Sequence, residues 1–136
     1  MKRILAAAAC YSGTVFAAGF LLGTIRVLWV ERAAGALGAV AIEVPVMLAI
    51  SWAAAGRCAR RHAVPARYPP RLGMGGLAFA VLMLVEASMV VLLFGQSPDI
   101  IVAGWATPAG ALGLAGQAGF AAMPLLRLAA RRGAAP

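Results

Sequence analysis

The side chains best placed to do chemistry in this sequence are Arg26, Glu43 and Glu86, because each lies within an otherwise apolar run. An ionisable group at membrane depth is expensive and needs a partner, a water-filled cavity or a function. Two carboxyls brought together in such a setting do not both stay ionised, since desolvation and mutual repulsion oppose the second charge. The expected resting state pairs Arg26 with one glutamate and keeps the other protonated. Such a cluster serves as fixed glue between helices, as a socket for a partner's charged residue, or as an ion-binding site for a proton or cation in a transporter. Pro45 follows closely after Glu43 and removes a backbone hydrogen bond near Ala41, which makes it a candidate helix hinge.

The rest of the reactive inventory is thin. Cys10 and Cys58 fall in different segments without CxxC or CxxH spacing, so no paired-thiol centre is expected, and His62 is the single histidine. A structural zinc site within one chain needs four Cys or His ligands, and haem held by two histidines of this chain is excluded. No metal or other cofactor is expected. Ser12, Thr14, Ser51, Ser88 and Thr107 occur singly, with no histidine beside them in an apolar segment, and no catalytic residue is assigned. Met47, Met83 and Met89 read as core filling. The sequence holds no phosphate-binding glycine fingerprint at a strand-to-helix junction. An enzyme is not expected.

The elements that must position the charges are apolar helices. Of the 136 residues 63% are hydrophobic and only 12% charged, against about 25% charged in ordinary soluble domains. The formal net charge is +8, yet the basic residues sit in the gaps between apolar runs, as topology signals do. Nucleic acid is therefore not an expected partner. Four spans are expected, over about 4–30, 35–55, 74–94 and 100–126, forming a single domain over 1–136. Apolar sequence runs unbroken through Cys10 to Val30, so the first segment reads as a retained helix and not a cleaved signal. Glu31-Arg32-Ala33-Ala34 reads as a tight connection, and Gly95-Gln96-Ser97-Pro98-Asp99 as a second short turn. Between them lies an arginine-rich loop over 56–73 carrying Arg57, Arg60, Arg61, Arg67 and Arg71.

Ser12, Gly19, Gly23 and Arg26 share one helical face, and Gly19-x-x-x-Gly23 is the small-residue spacing at which two membrane helices approach closely. Gly113 belongs to a glycine-rich fourth span expected to pack in the same way. The basic residues set the orientation. Lys2, Arg3, the loop arginines and the tail arginines Arg127, Arg131 and Arg132 fall on one side, with Arg32 on the other, so both termini are expected to be cytoplasmic. At 1.5 Å per residue Glu43 and Glu86 both lie about 12 Å below the outer helix ends.

The runs GTIRVLWV at Gly23–Val30 and AVAIEVPVMLAISW at Ala39–Trp52 resemble a pattern in small four-span bacterial inner-membrane proteins of unassigned function. That resemblance covers mainly the first hairpin and implies the bacterial inner membrane as location, but no mechanism. The small multidrug transporters share the length and a membrane glutamate. They differ in carrying it in the first span, where this chain has none.

The expectation is an all-α, polytopic membrane protein of four transmembrane helices in two antiparallel hairpins. Its surroundings are the lipid bilayer, with a homo-oligomer or a larger membrane-protein complex as partner. The favoured role is a non-enzymatic accessory or assembly subunit. The alternative is a small proton- or cation-coupled transporter or channel component using the buried carboxylates.

Overall fold

A computed structural model of the chain describes residues 1–93, 95–97 and 99–133. These residues are helical almost throughout, and no β-strand occurs among them. Helix α1 spans Lys2–Ile25 and continues through a π-helical turn at Arg26–Val30 into α2, Glu31–Arg61. Helix α3, Tyr68–Ser88, carries a second π turn at Met89–Leu93. A short α4, Asp99–Trp105, precedes α5, Pro108–Gly133. The expected end of the third span at Phe94 and Pro98 of the second turn lie outside the described residues.

The chain reverses at Gly35 and not over 31–34. Gly35 has φ +70° and ψ 169°, the one non-helical residue inside α2, in a region that costs a glycine little and other residues much. Glu31-Arg32-Ala33-Ala34, expected as the connection, stays helical and prolongs the first pass. A pair of charges interrupts an apolar run without breaking a helix, whereas a positive φ does break it. Pro45, by contrast, lies within continuous helix.

The arginine-rich segment is also more helical than expected. Arg57, Arg60 and Arg61 belong to the last turns of α2, and Arg71 to the first turn of α3. Only 62–67, with Arg67, stand outside helices. The end of α2 is closed by a Schellman arrangement: the Val64 N–H donates to the Ala59 carbonyl at 2.9 Å and the Ala63 N–H to that of Arg60 at 3.1 Å. Ala63 occupies the left-handed position of that motif at φ +48°, where glycine is usual. Pro69 and Pro70 stand in the first turn of α3, where the missing N–H would have had no partner.

The expected fourth span over 100–126 is divided at Ala106 and Thr107. Thr107 Oγ1 accepts a hydrogen bond from the Gly110 N–H at 3.0 Å, and Pro108 begins the new helix. This is an N-cap followed by proline at the first helical position.

The four long passes form a bundle in which α1 packs on α2 and α3, and α5 packs on the same two helices. The hairpin α1–α2 is antiparallel: its turn end holds Arg26 beside Glu43, and its open end holds Cys10 beside Cys58. Most of the buried core lies toward that open end, where Ala7, Tyr11, Ala55, Ala59, Met74 and Ala78 are essentially inaccessible. Small residues there let backbones approach. At Gly75 a Cβ would overlap the Ala121 carbonyl of α5. Tyr11 stacks on Phe120 with ring centroids 4.5 Å apart and donates its hydroxyl proton to the Phe120 carbonyl at 2.8 Å.

Three helical stretches, Lys2–Arg61, Tyr68–Leu92 and Pro108–Gly133, are long and apolar enough to cross a membrane; the first folds back on itself at Gly35. Their outward faces are apolar: Trp29 is 66% exposed, Leu84 68% and Leu92 79%. Such surfaces suit a hydrocarbon solvent and not water.

Candidate functional site

Toward the Gly35 end the four passes separate around a cavity of about 630 Å³. Its wall is mostly aliphatic and aromatic, with Arg26, Glu43, Ser51, Glu86 and Gln117 projecting polar groups into it. An apolar cavity with a few converging polar groups is the usual form of a small-ligand site.

Arg26 and Glu43 face each other across the hairpin, with Nε 2.6 Å from the Glu43 carboxylate. The same guanidinium lies 3.6 Å from Glu31, so it bridges two acids, one of them on the helical continuation of its own pass. Arg26 opens the π turn, which the Glu31 N–H closes by bonding the Arg26 carbonyl. Single π turns inside α-helices recur at functional sites, and the second one here begins shortly after Glu86. Gly23 presents its backbone toward the Glu43 carboxylate, and a Cβ at Gly19 would lie 3.3 Å from the Met47 methyl. Both glycines of the Gly19-x-x-x-Gly23 pair therefore stand at the α1–α2 contact that holds the ion pair.

Glu86, expected in one cluster with Arg26 and Glu43, has a partner of its own. The Gln117 side-chain amide on α5 donates to both carboxylate oxygens at 2.8 Å each. Arg26, Glu43 and Glu86 share one cavity but form two separate polar centres, one ionic and one amide-bound. Gln117 was legible in the sequence as the single amide of its span, yet nothing there joined it to Glu86. Its Oε1 and the hydroxyl of Ser51 are buried with no hydrogen-bond partner among the described residues. These are two acceptors to which a bound water or ligand can donate.

Gly113 borders the cavity, and a Cβ there would meet no atom. The α5 glycines that pack on α2 are Gly116 and Gly119, set against Val44 and Leu48 at 3.1 and 2.8 Å from an added Cβ. Gly113 thus shapes open space, and its two followers carry the helix packing.

Cys10 and Cys58, read from the sequence as unpaired, form a disulfide across α1 and α2, with Cα atoms 5.9 Å apart. A separation of 48 positions hides such a pair from any spacing motif. Cys58 is buried among the alanines of the packed end, so the pair cross-links the hairpin there. Among the described residues no three Cys, His, Asp or Glu side chains gather as metal ligands.

The loop and tail arginines assemble at the end opposite to Glu43 and Glu86. Arg60, Arg71, Arg127, Arg131 and Arg132 line a second cavity of about 260 Å³, whereas Arg57, Arg61 and Arg67 stay outside its wall.

No protein-family model, curated protein or solved structure matches this chain.

Proposed function

We propose that this chain is a non-enzymatic integral membrane protein whose bundle interior takes up a proton or small cation at Glu86, as a compact carrier or channel component. The observation that carries this reading is the 630 Å³ cavity in which Glu86 is partnered by an amide and, among the described residues, by no basic side chain. Arg26 neutralises Glu43, so that pair acts as a fixed lock on the hairpin. Glu86 is left free to exchange its charge. Gln117 can serve either state, because its NH₂ donates to a carboxylate and its carbonyl accepts from a protonated acid. The arginine-rich end faces the cytoplasm of a bacterial inner membrane by the positive-inside rule, with both termini on that side.

The decisive measurement is proton flux in proteoliposomes loaded with a pH-sensitive dye. Wild-type protein is expected to speed the decay of an imposed pH gradient, and Glu86→Gln to abolish that excess while the protein remains folded and abundant. Wild-type decay no faster than that of empty vesicles sinks the carrier reading.

The second reading is an accessory or assembly subunit of a membrane complex or homo-oligomer. It is favoured by the exposed apolar side chains along α1 and the π turn that follows it, among them Phe20, Leu21 and Trp29, which a partner helix would cover. Gentle extraction from the native membrane with a stoichiometric membrane protein bound would establish it.

A further inference from the structure

We infer that the arginine-lined cavity at the cytoplasmic end is a binding site for a phosphate group. Five guanidiniums from three helices converge on it: Arg60 from α2, Arg71 from α3, and Arg127, Arg131 and Arg132 from α5. The acids of the sequence, Glu31, Glu43, Glu86 and Asp99, all belong to the turn-side half of the bundle, and none lines this cavity. Like charges brought together without a counter-charge repel one another, and arginines serving only as topology signals would spread apart into water.

These side chains are instead held in place by neutral groups. Arg127 donates to the Trp52 carbonyl at 2.6 Å and lies over the Trp52 ring at 5.2 Å. Gly56 makes that possible, since a Cβ there would overlap the Arg127 guanidinium. Arg132 donates to the Ala66 carbonyl at 2.9 Å and covers the Tyr68 ring at 4.8 Å. Arg71 is only 9% exposed, reaches the Val64 carbonyl at a long 3.4 Å, and keeps a buried Nε with no partner among the described residues. A buried guanidinium N–H without an acceptor is costly, and the group it fits is a multi-oxygen anion bound in bidentate fashion. The cavity of about 260 Å³ has room for a phosphate and part of its ester substituent. Basic pockets between membrane helices on the cytoplasmic side take lipid phosphates by the same chemistry. The phosphate belongs either to an anionic lipid headgroup or to a small soluble compound.

The test is thermal unfolding of the delipidated full chain in detergent, at fixed ionic strength, titrated separately with three probes. These are inorganic phosphate, a short-chain phosphatidylglycerol and a short-chain diacylglycerol, which has the acyl chains without the phosphate. A saturable rise in Tm with both phosphate and phosphatidylglycerol supports the site and a soluble source. A rise with phosphatidylglycerol alone supports the site and a lipid source. Arg71→Gln is expected to weaken the binding midpoint about tenfold or more, and the exposed Arg131→Gln about threefold, each guanidinium contributing charge-assisted bonds. Arg131→Gln keeps the test open should Arg71→Gln fail to fold. Arg3→Gln, outside the cavity, is expected to stay within about twofold through screening. No rise with any probe overturns the inference. So does an equal rise with the diacylglycerol, or an unchanged midpoint in Arg131→Gln and in any folded Arg71→Gln protein.

Discussion

The two ends of this bundle are built from the same helices and have opposite interiors. At the open end of the hairpin, alanines, Gly75 and the Tyr11–Phe120 stack bring the backbones close, and the charges there are all basic. At the turn end aliphatic and aromatic side chains together with four glycines line a cavity of about 630 Å³, and all the acids are found there. The difference lies in what the small residues face: Gly75 lies against the Ala121 backbone of a neighbouring helix, whereas Gly113 borders open space. Small residues permit contact between backbones. Where a glycine meets no neighbour, the space left over can hold a ligand or water.

The comparison breaks most sharply at glycines. Gly75→Ala is expected to cost about 3 kcal/mol, because the new methyl would overlap the Ala121 carbonyl, which is backbone and cannot step aside. Its readout is the recovery and Tm of monodisperse protein in detergent, and an unchanged Tm would mean that the packed end is looser than described. Next in size is Glu43→Gln, which leaves the partly exposed Arg26 with Glu31 alone, at 3.6 Å. A loss of about 2 kcal/mol is expected, recovered in part by the Arg26→Gln/Glu43→Gln double variant in a thermal double-mutant cycle. Additive losses would show that the pair does not lock the hairpin.

Ala63→Gly should gain about 1 kcal/mol by removing the Cβ from a left-handed backbone position at the end of α2. The gain would be read as a higher Tm with unchanged proton flux. Smallest is Gly113→Ala, expected to stabilise by up to about 1 kcal/mol through helix propensity alone, since its Cβ meets open space. Opposite signs at Gly75 and Gly113 would sharpen the contrast between the solid and the hollow end. The same sign at both would erase it.

Much of the architecture was legible in local sequence. Long apolar runs with few charges specify membrane-length helices, because a backbone in hydrocarbon must satisfy its own hydrogen bonds. The polar residues that interrupt those runs, Arg26, Glu43 and Glu86, stand out for the same reason, as costs that require an explanation. The division at Thr107-Pro108 was equally local, with a capping residue followed by proline, but was hidden by the continuing apolar composition. The reversal at Gly35 is not legible locally, because the charges at Glu31 and Arg32 are the more conspicuous interruption of the apolar run.

Composition and spacing determined that the chain is helical, apolar outside, and basic toward one side. Only the tertiary structure decided which helix faces meet, and therefore that Glu86 takes Gln117, that Cys10 lies beside Cys58, and that five arginines share one cavity. Helix formation is written in neighbours a few positions apart. These partnerships depend on how each helix is rotated and which one it packs against, which the summed fit of small and large side chains along the whole bundle sets.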